Sequence, residues 1–359
     1  MLSHEYYKTG RGNKESGLKD TLKTIFIAIG IALFIKIFLF EAYMVPTRSM
    51  EPGILPGDHI IVNKFYYGVK LPVLGWKLPG LSSPKKGDVI VFQTPTYKSV
   101  GAFKQFINLI TFGIFSLDNT KDNPKNYVKR VIGVPGDVIK INSVSQQNNT
   151  RSLMVNGKIH KRKFLKKINY STKIGKSYAE KYTEYGPRKK YNIQFIDKGE
   201  ALTGEFYVPK QGDVITLRYI GIENNAKTEV PVETETTADG RKLARPFALP
   251  KKFDPKRNYI VMGTVILTVN NKKIIKIDGG SFDSLYNNPS NRVFPKKAVY
   301  LMLKGQNVKY RFNDNYYFMM GDNRDRSEDS RIWGLLNEDL IIGSPAMVYY
   351  PFSRMGSVD

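Results

Sequence analysis

Cysteine is absent from the 359 residues, and histidine occurs only three times. Disulfides and thiolate chemistry are therefore excluded, although a cysteine-free chain is compatible with any redox compartment. His4, His59 and His160 lie far apart with no metal-ligand spacing, so no metal site is expected and no cofactor is called for. The same scarcity counts against a Ser-His-Asp triad, because His59 opens a strand after a turn, His160 sits in a basic stretch and His4 precedes a long apolar segment. Acids are sparse too. Against 56 Lys and Arg there are 32 Asp and Glu, a net charge of +24, which fits an anionic partner, either nucleic acid or the head groups of a bilayer.

What is present at the N-terminus decides between these. From Thr24 to Phe40, "TIFIAIGIALFIKIFLF" is apolar except for Lys36. With the following "EAYMV" it is long enough to cross a hydrocarbon core of roughly 30 Å. A cleavable signal peptide would have a shorter apolar region and a small-x-small site before a soluble start, which does not follow Phe40. Residues 24–44 are thus expected to form a retained transmembrane anchor after a short cytoplasmic leader, 1–23. The leader's Lys8, Arg11, Lys14, Lys19 and Lys23 outnumber Glu5, Glu15 and Asp20, which places the rest of this single-pass chain on the outer face of the cytoplasmic membrane. Residues 1–45 offer an anchor and no helix-turn-helix, so nucleic acid and a self-cleaving DNA-bound repressor are both set aside.

Beyond the anchor, the Gly, Tyr and Phe content and the short Val/Ile runs favour a mainly β build. Gly57-Asp58, Gly87-Asp88, Gly136-Asp137 and Gly212-Asp213 each precede an apolar run and predict a turn feeding a strand. Asn156-Gly157 and Asn270-Asn271 predict two-residue hairpin turns and hint at an internal echo. The runs Lys161-Arg162-Lys163 and Arg188-Lys189-Lys190 are expected to be solvated faces. The apolar stretch 102–117 is too short to span, and is either a buried helix or an element dipping into the membrane.

With histidine set aside, a serine nucleophile can be activated by a lysine whose burial keeps the amine neutral near pH 7. "PTRSM" places Ser49 in a proline-bounded turn directly after the anchor. "NYVKRVIGVPGDVI" places Lys129 on a strand, with Tyr127, Lys129 and Val131 on one face and Val128, Arg130 and Ile132 on the other. Each is weak alone, since turn serines and strand lysines are usually structural. A third stretch, "YYFMMGDNRDRSEDSRIWGLL", interleaves acids, arginines and hydroxyls behind an aromatic strand, as a fixed ion-pair network would.

Taken in order after the anchor, "PTRSMEPGILPGDHIIVNKF", "KGDVIVF", "YVKRVIGVPGD" and "GDNRDRSEDSRIWG" resemble bacterial type I signal peptidase, the Ser-Lys leader peptidases of the S26 class. The resemblance implies a membrane-bound serine endopeptidase that removes N-terminal signal peptides from exported preproteins at small-x-small sites. Ser49 would be the nucleophile and Lys129 the general base. The Ser49 backbone N–H and the Thr47 hydroxyl would form the oxyanion hole. Ser327 would orient the lysine amine, and the pairs Asp329 with Arg331 and Arg130 with Asp322 would support the site. Tyr43, Val45, Met50, Ile54, Tyr127 and Val128 would line two shallow apolar subsites for small side chains. The implied partners are preprotein substrates, anionic phospholipid and, by association, the secretion translocon.

The implied fold is a signal-peptidase-type antiparallel β catalytic domain, 45–141 and 314–359, with an enlarged β-rich inserted region at 142–313. Departures from the family pattern are Thr47 where serine is usual, Arg48 where a small residue is frequent, Gly53 in place of a threonine, and Ala42 in place of a proline. The competing reading is a membrane-anchored β-domain that binds an anionic surface or a protein partner without catalysis.

Overall fold

The structure, a computed structural model, describes residues 14–71, 76–96, 107, 111, 126–142, 152–172, 175–196, 203–221, 234–236, 242–244 and 252–358. His4 and nearly all of 102–117 lie outside the described residues. The four Gly-Asp turns fold alike. In 55–58, 85–88, 134–137 and 210–213 the glycine takes φ of +90°, +89°, +93° and +87°, which a type II turn requires and which a side chain would oppose. The aspartate closes the turn twice: its N–H donates to the first residue's carbonyl at 3.0–3.1 Å, and its carboxylate accepts that residue's N–H at 2.8–2.9 Å. Each turn then launches a strand, at His59–Asn63, Val89–Gln93, Val138–Ile141 and Val214–Gly221.

The internal echo is a shared hydrogen-bond clasp. Asn156 accepts from Val138 N and donates to Asp137, and Asn270 does the same with Val214 N and Asp213, all at 2.7–2.8 Å. Both asparagines stand at positive φ, 51° and 50°. The Asn156-Gly157 turn has two residues, whereas the second loop has three, because Val269 pairs with Lys273 and Lys272 N donates to Val269 O.

One antiparallel sheet carries the three motif segments. Its order is Phe40–Met44, His59–Asn63, Ile341–Tyr350, Val89–Gln93, Asn126–Gly133, Tyr316–Met320 and Leu336–Asn337, with Gly356–Ser357 added to Ile341–Tyr350. The N-terminal helix runs from Lys14 to Phe34 and continues as a wider turn over Ile35–Leu39; the stretch Lys19–Leu39 is long and apolar enough to cross a membrane. Phe40–Met44, expected as the end of the anchor, is instead the sheet's edge strand, since its backbone pairs with His59–Asn63. Lys64 ties the two together, its Nζ donating to the Lys36 carbonyl at 3.0 Å and to Glu41 at 3.1 Å.

Residues between 142 and 313 form further antiparallel layers. Lys161–Thr172, Gly175–Tyr185 and Lys190–Phe195 make a three-stranded sheet. Val138–Ile141 pairs with both Leu153–Val155 and Gly204–Tyr207, so segments far apart in the sequence meet in one sheet. A large apolar core, with Ile139, Phe206, Leu217, Phe282, Phe294 and Phe318 at its centre, joins these layers to the back of Tyr316–Met320.

Candidate active site

The turn bearing Ser49 is closed by its own backbone. Val45 N donates to Asp58 O and Gly57 N to Val45 O, both at 2.8 Å, while Gly53 N and Ile54 N both donate to Met50 O at 3.1 Å. Asp58 is fixed from outside by Arg354, whose two nitrogens reach its carboxylate at 2.8 and 2.9 Å. The result is a tight loop at the end of the edge strand in which Ser49 is only 7% exposed. Thr47 Oγ1 lies 3.4 Å from Ser49 Oγ, on the solvent side.

Lys129 comes from the strand Asn126–Gly133, whose alternation is as the sequence predicts: Tyr127 and Val131 pack with Ile90, Phe92 and Trp333, and Val128 packs with Val89 and Val91 on the other side. The Lys129 Nζ lies 2.7 Å from Ser49 Oγ and 3.0 Å from the Val128 carbonyl, and sits 4.8 Å from the centre of the Tyr127 ring. Lys129 is 3% exposed. Burial lowers its pKa to about 8, against the pull of Asp329, Glu328 and Asp322 and with the help of Arg331. A desolvated ammonium without an ion-pair carboxylate loses its proton easily.

The acids of the third segment are occupied elsewhere. Asp322 takes two bonds from Arg130, at 2.8 and 2.7 Å, and Arg130 also donates to Gly87 O at 2.7 Å. Asp329 takes two bonds from Arg331, at 2.8 and 2.7 Å, and a third from Gly321 N at 2.9 Å. Desolvation would raise the Asp329 pKa, but Arg331 outweighs it and holds the group below the usual carboxylate range. Ser327 is buried beside these groups, and among the described residues its Oγ has no hydrogen-bond partner; the Lys129 amine is held by Ser49 and the Val128 carbonyl. Gly321 makes this crowding feasible, because a Cβ there would stand 2.2 Å from Ser327 Oγ and 2.5 Å from the Ser49 carbonyl.

The six residues assigned to substrate subsites divide. Val45, Met50 and Ile54 are buried in one apolar cluster, with Tyr43 and Val128 half-buried at its margin, and Tyr127 packs against a different cluster. Met50 and Ile54 are 1% and 2% exposed, so they floor the site from within.

Sequence reasoning missed a second network. Glu184, fully buried in the three-stranded sheet, receives Arg324 at 2.6 and 3.2 Å, Arg162 at 2.7 Å and the Tyr191 hydroxyl at 2.9 Å. Desolvation opposes its charge, but Arg324 and Arg162 hold its pKa well below the usual carboxylate range. Gln194 bridges to Asn323 by backbone bonds of 3.0 Å, from Gln194 N to Asp322 O and from Arg324 N to Gln194 O. Arg162, expected on a solvated face, therefore points inward, and His160 is buried with Nδ1 3.6 Å from Glu184. Neither takes part in the Ser49–Lys129 contact. Among the described residues no group of His, Cys, Asp and Glu is arranged to hold a metal ion.

Known proteins resemble this chain over most of its length. Signal peptidase I of Buchnera aphidicola subsp. Acyrthosiphon pisum is 25% identical over 92% of this chain and 74% of its own length. That of Haemophilus influenzae is 24% identical over 94% of this chain and 71% of its own length, and that of Pseudomonas fluorescens is 34% identical over 40% of each. The family model described as signal peptidase, peptidase S26, matches residues 18–211 and 232–350, and a match over that much of the sequence shows that the chain belongs to this family.

Proposed function

We propose that this membrane-anchored serine endopeptidase removes signal peptides from preproteins by means of a Ser49–Lys129 dyad. The observation that carries the dyad is the 2.7 Å contact between Lys129 Nζ and Ser49 Oγ inside a buried site. With its amine neutral, Lys129 accepts the Ser49 proton as Oγ attacks the scissile carbonyl carbon. The oxyanion takes bonds from the Ser49 N–H and the Thr47 hydroxyl. The lysine then gives its proton to the departing amine, and the acyl-serine forms as the peptide C–N bond breaks. In the second half Lys129 takes a proton from water as its oxygen attacks the ester, and returns that proton to Ser49 Oγ as the ester C–O bond breaks, restoring both groups.

The apolar floor of Val45, Met50 and Ile54, with Tyr43 and Val128 at its margin and Tyr127 on the neighbouring cluster, suits small side chains beside the nucleophile, in keeping with small-x-small sites. In this reading 45–141 and 314–359 form the catalytic core and 142–313 an insertion. The basic leader favours an anchor in the cytoplasmic membrane with the catalytic sheet on its outer face, and the net charge of +24 favours contact with anionic phospholipid. Association with the secretion translocon follows from the place where preproteins emerge. The test is cleavage of a preprotein with an Ala-x-Ala site by the full-length protein in detergent. Correct processing by wild type and none by Ser49→Ala supports the assignment, and equal processing by both overturns it.

A further inference from the structure

Glu51 stands two residues after Ser49 and has no part in the proton transfers described above. It is nonetheless 8% exposed. Its Oε2 accepts the Tyr170 hydroxyl at 2.8 Å, Gln194 Nε2 at 2.9 Å and Asn323 Nδ2 at 3.4 Å, and its Oε1 lies 3.8 Å from Arg48 Nε. These donors come from three places: Tyr170 and Gln194 from separate strands of the three-stranded sheet, Asn323 from the segment after Tyr316–Met320, and Arg48 from the nucleophile turn itself. A buried carboxylate needs such donors to offset desolvation, and it draws their backbones together in return. Asn323 doubles the link, since its Nδ2 donates to Arg48 O and its N–H to Ser49 O, both at 3.0 Å. The nucleophile's own carbonyl is thus held by a residue that Glu51 and Gln194 hold in turn.

We propose that Glu51 is a positioning residue through which the three-stranded sheet clamps the nucleophile turn and keeps Ser49 Oγ on Lys129. The sheet is then a working part of the active site, and its contribution passes through one carboxylate. A nucleophile displaced by about 1 Å loses roughly 10²-fold in rate, which sets the scale of what the clamp protects. The proposal rests on the Ser49–Lys129 reading. Glu51 is not among the charges that shift the Lys129 amine, which are Asp329, Glu328, Asp322 and Arg331. A positioning role therefore changes the rate without moving the pH limb.

The experiment compares Glu51→Leu, which removes the acceptor, with Glu51→Gln, which keeps an oxygen for the same donors. Both are made in the full-length protein in detergent, next to wild type and Ser49→Ala. Processing of an Ala-x-Ala preprotein gives kcat, KM and the pH profile, and backbone hydrogen exchange reports on residues 48–54. Glu51→Leu is expected to lower kcat by about 10- to 100-fold with KM and the pH limb in place. Exchange should rise across 48–54 and stay unchanged across 126–133, and Glu51→Gln should restore kcat to within about threefold of wild type. Wild-type kcat and unchanged exchange in Glu51→Leu overturn the proposal, as does an equal loss in Glu51→Gln. If Glu51→Leu does not fold, Tyr170→Phe combined with Gln194→Leu breaks the clamp from the sheet side, with the same outcomes. Full activity of Ser49→Ala would defeat the dyad alone, because exchange at 48–54 still decides whether Glu51 holds the turn.

Discussion

Lys129 and Arg130 are consecutive on one strand, both cationic and both buried, at 3% and 2% exposed, yet their surroundings treat them in opposite ways. Arg130 meets Asp322 through two bonds, donates to a backbone carbonyl and lies 4.2 Å from the Tyr191 ring centre. Its charge is fully compensated. Lys129 has a hydroxyl, a carbonyl and an aromatic face, and among the described residues no carboxylate within ion-pair distance. Burial with a partner fixes a charge, while burial without one makes the proton removable. The two arrangements depend on each other: Arg130 and Arg331 occupy Asp322 and Asp329, carboxylates that would otherwise hold Lys129 charged.

The largest effect comes from erasing the unpaired side of this comparison. Ser49→Ala and Lys129→Ala should each reduce processing to a trace, because each removes a reacting group that the other cannot replace. Lys129→Arg should be as inactive, since a guanidinium stays protonated where an amine would not. Thermal melts of the three purified variants should match wild type, and cleavage above a trace by any of them would remove the dyad.

Breaking the paired side should cost stability. Asp322→Asn leaves Arg130 buried with its charge unanswered, and a loss of about 3–5 kcal/mol is expected in unfolding measurements. Replacing both, as Arg130→Met with Asp322→Leu, should recover much of it, because an apolar pair of similar size avoids the desolvation cost. A single variant with wild-type stability would mean that water reaches Arg130.

How much of this contrast was legible in the sequence depends on whether its cause is local. The turns at 55–58, 85–88, 134–137 and 210–213 were legible because glycine and aspartate at fixed offsets determine them. The two faces of Asn126–Gly133 followed from period-2 alternation, and the order of motifs brought Ser49 and Lys129 into consideration together. The end of the apolar segment was misplaced, since only pairing with His59–Asn63 tells Phe40–Met44 that it is a strand. Glu51, Glu184, Tyr170 and Gln194 were invisible for the same reason. In sequence they are ordinary polar residues on turns and strands, and their burial is created by contacts 119 to 143 residues apart, such as those from Tyr170 and Gln194 to Glu51. Arg162 shows the trap in a basic run, where one side chain faces the core between neighbours that face water.

Between the two charged neighbours lies the question of what stabilises the developing oxyanion, and Thr47 sharpens it. Thr47→Val keeps the branched shape and deletes the donor, so kcat should fall by about 10²–10³ with little change in KM. Thr47→Ser should remain active, since it retains the hydroxyl 3.4 Å from Ser49 Oγ. Wild-type turnover by Thr47→Val would assign the oxyanion to backbone donors alone.

The smallest effect probes the dependence of Lys129 on its paired neighbours. With neutral Lys129 as the proposed base, the rate should rise with pH through the value of about 8 and level off above it. At pH 7 about one lysine in ten is then neutral, against fewer than about one in a thousand for an unperturbed lysine. Arg331 lowers the Lys129 pKa by its own charge and cancels much of Asp329, which pulls the other way. Arg331→Met removes both influences at once, so the Lys129 pKa should rise and the limb should move to higher pH. The variant should lose a few-fold in rate at pH 7 and regain it at pH 9, where the lysine is again deprotonated. A merely structural defect would lower the rate equally at both pH values, and an unmoved limb would show that Asp329 remains screened from Lys129 without its arginine.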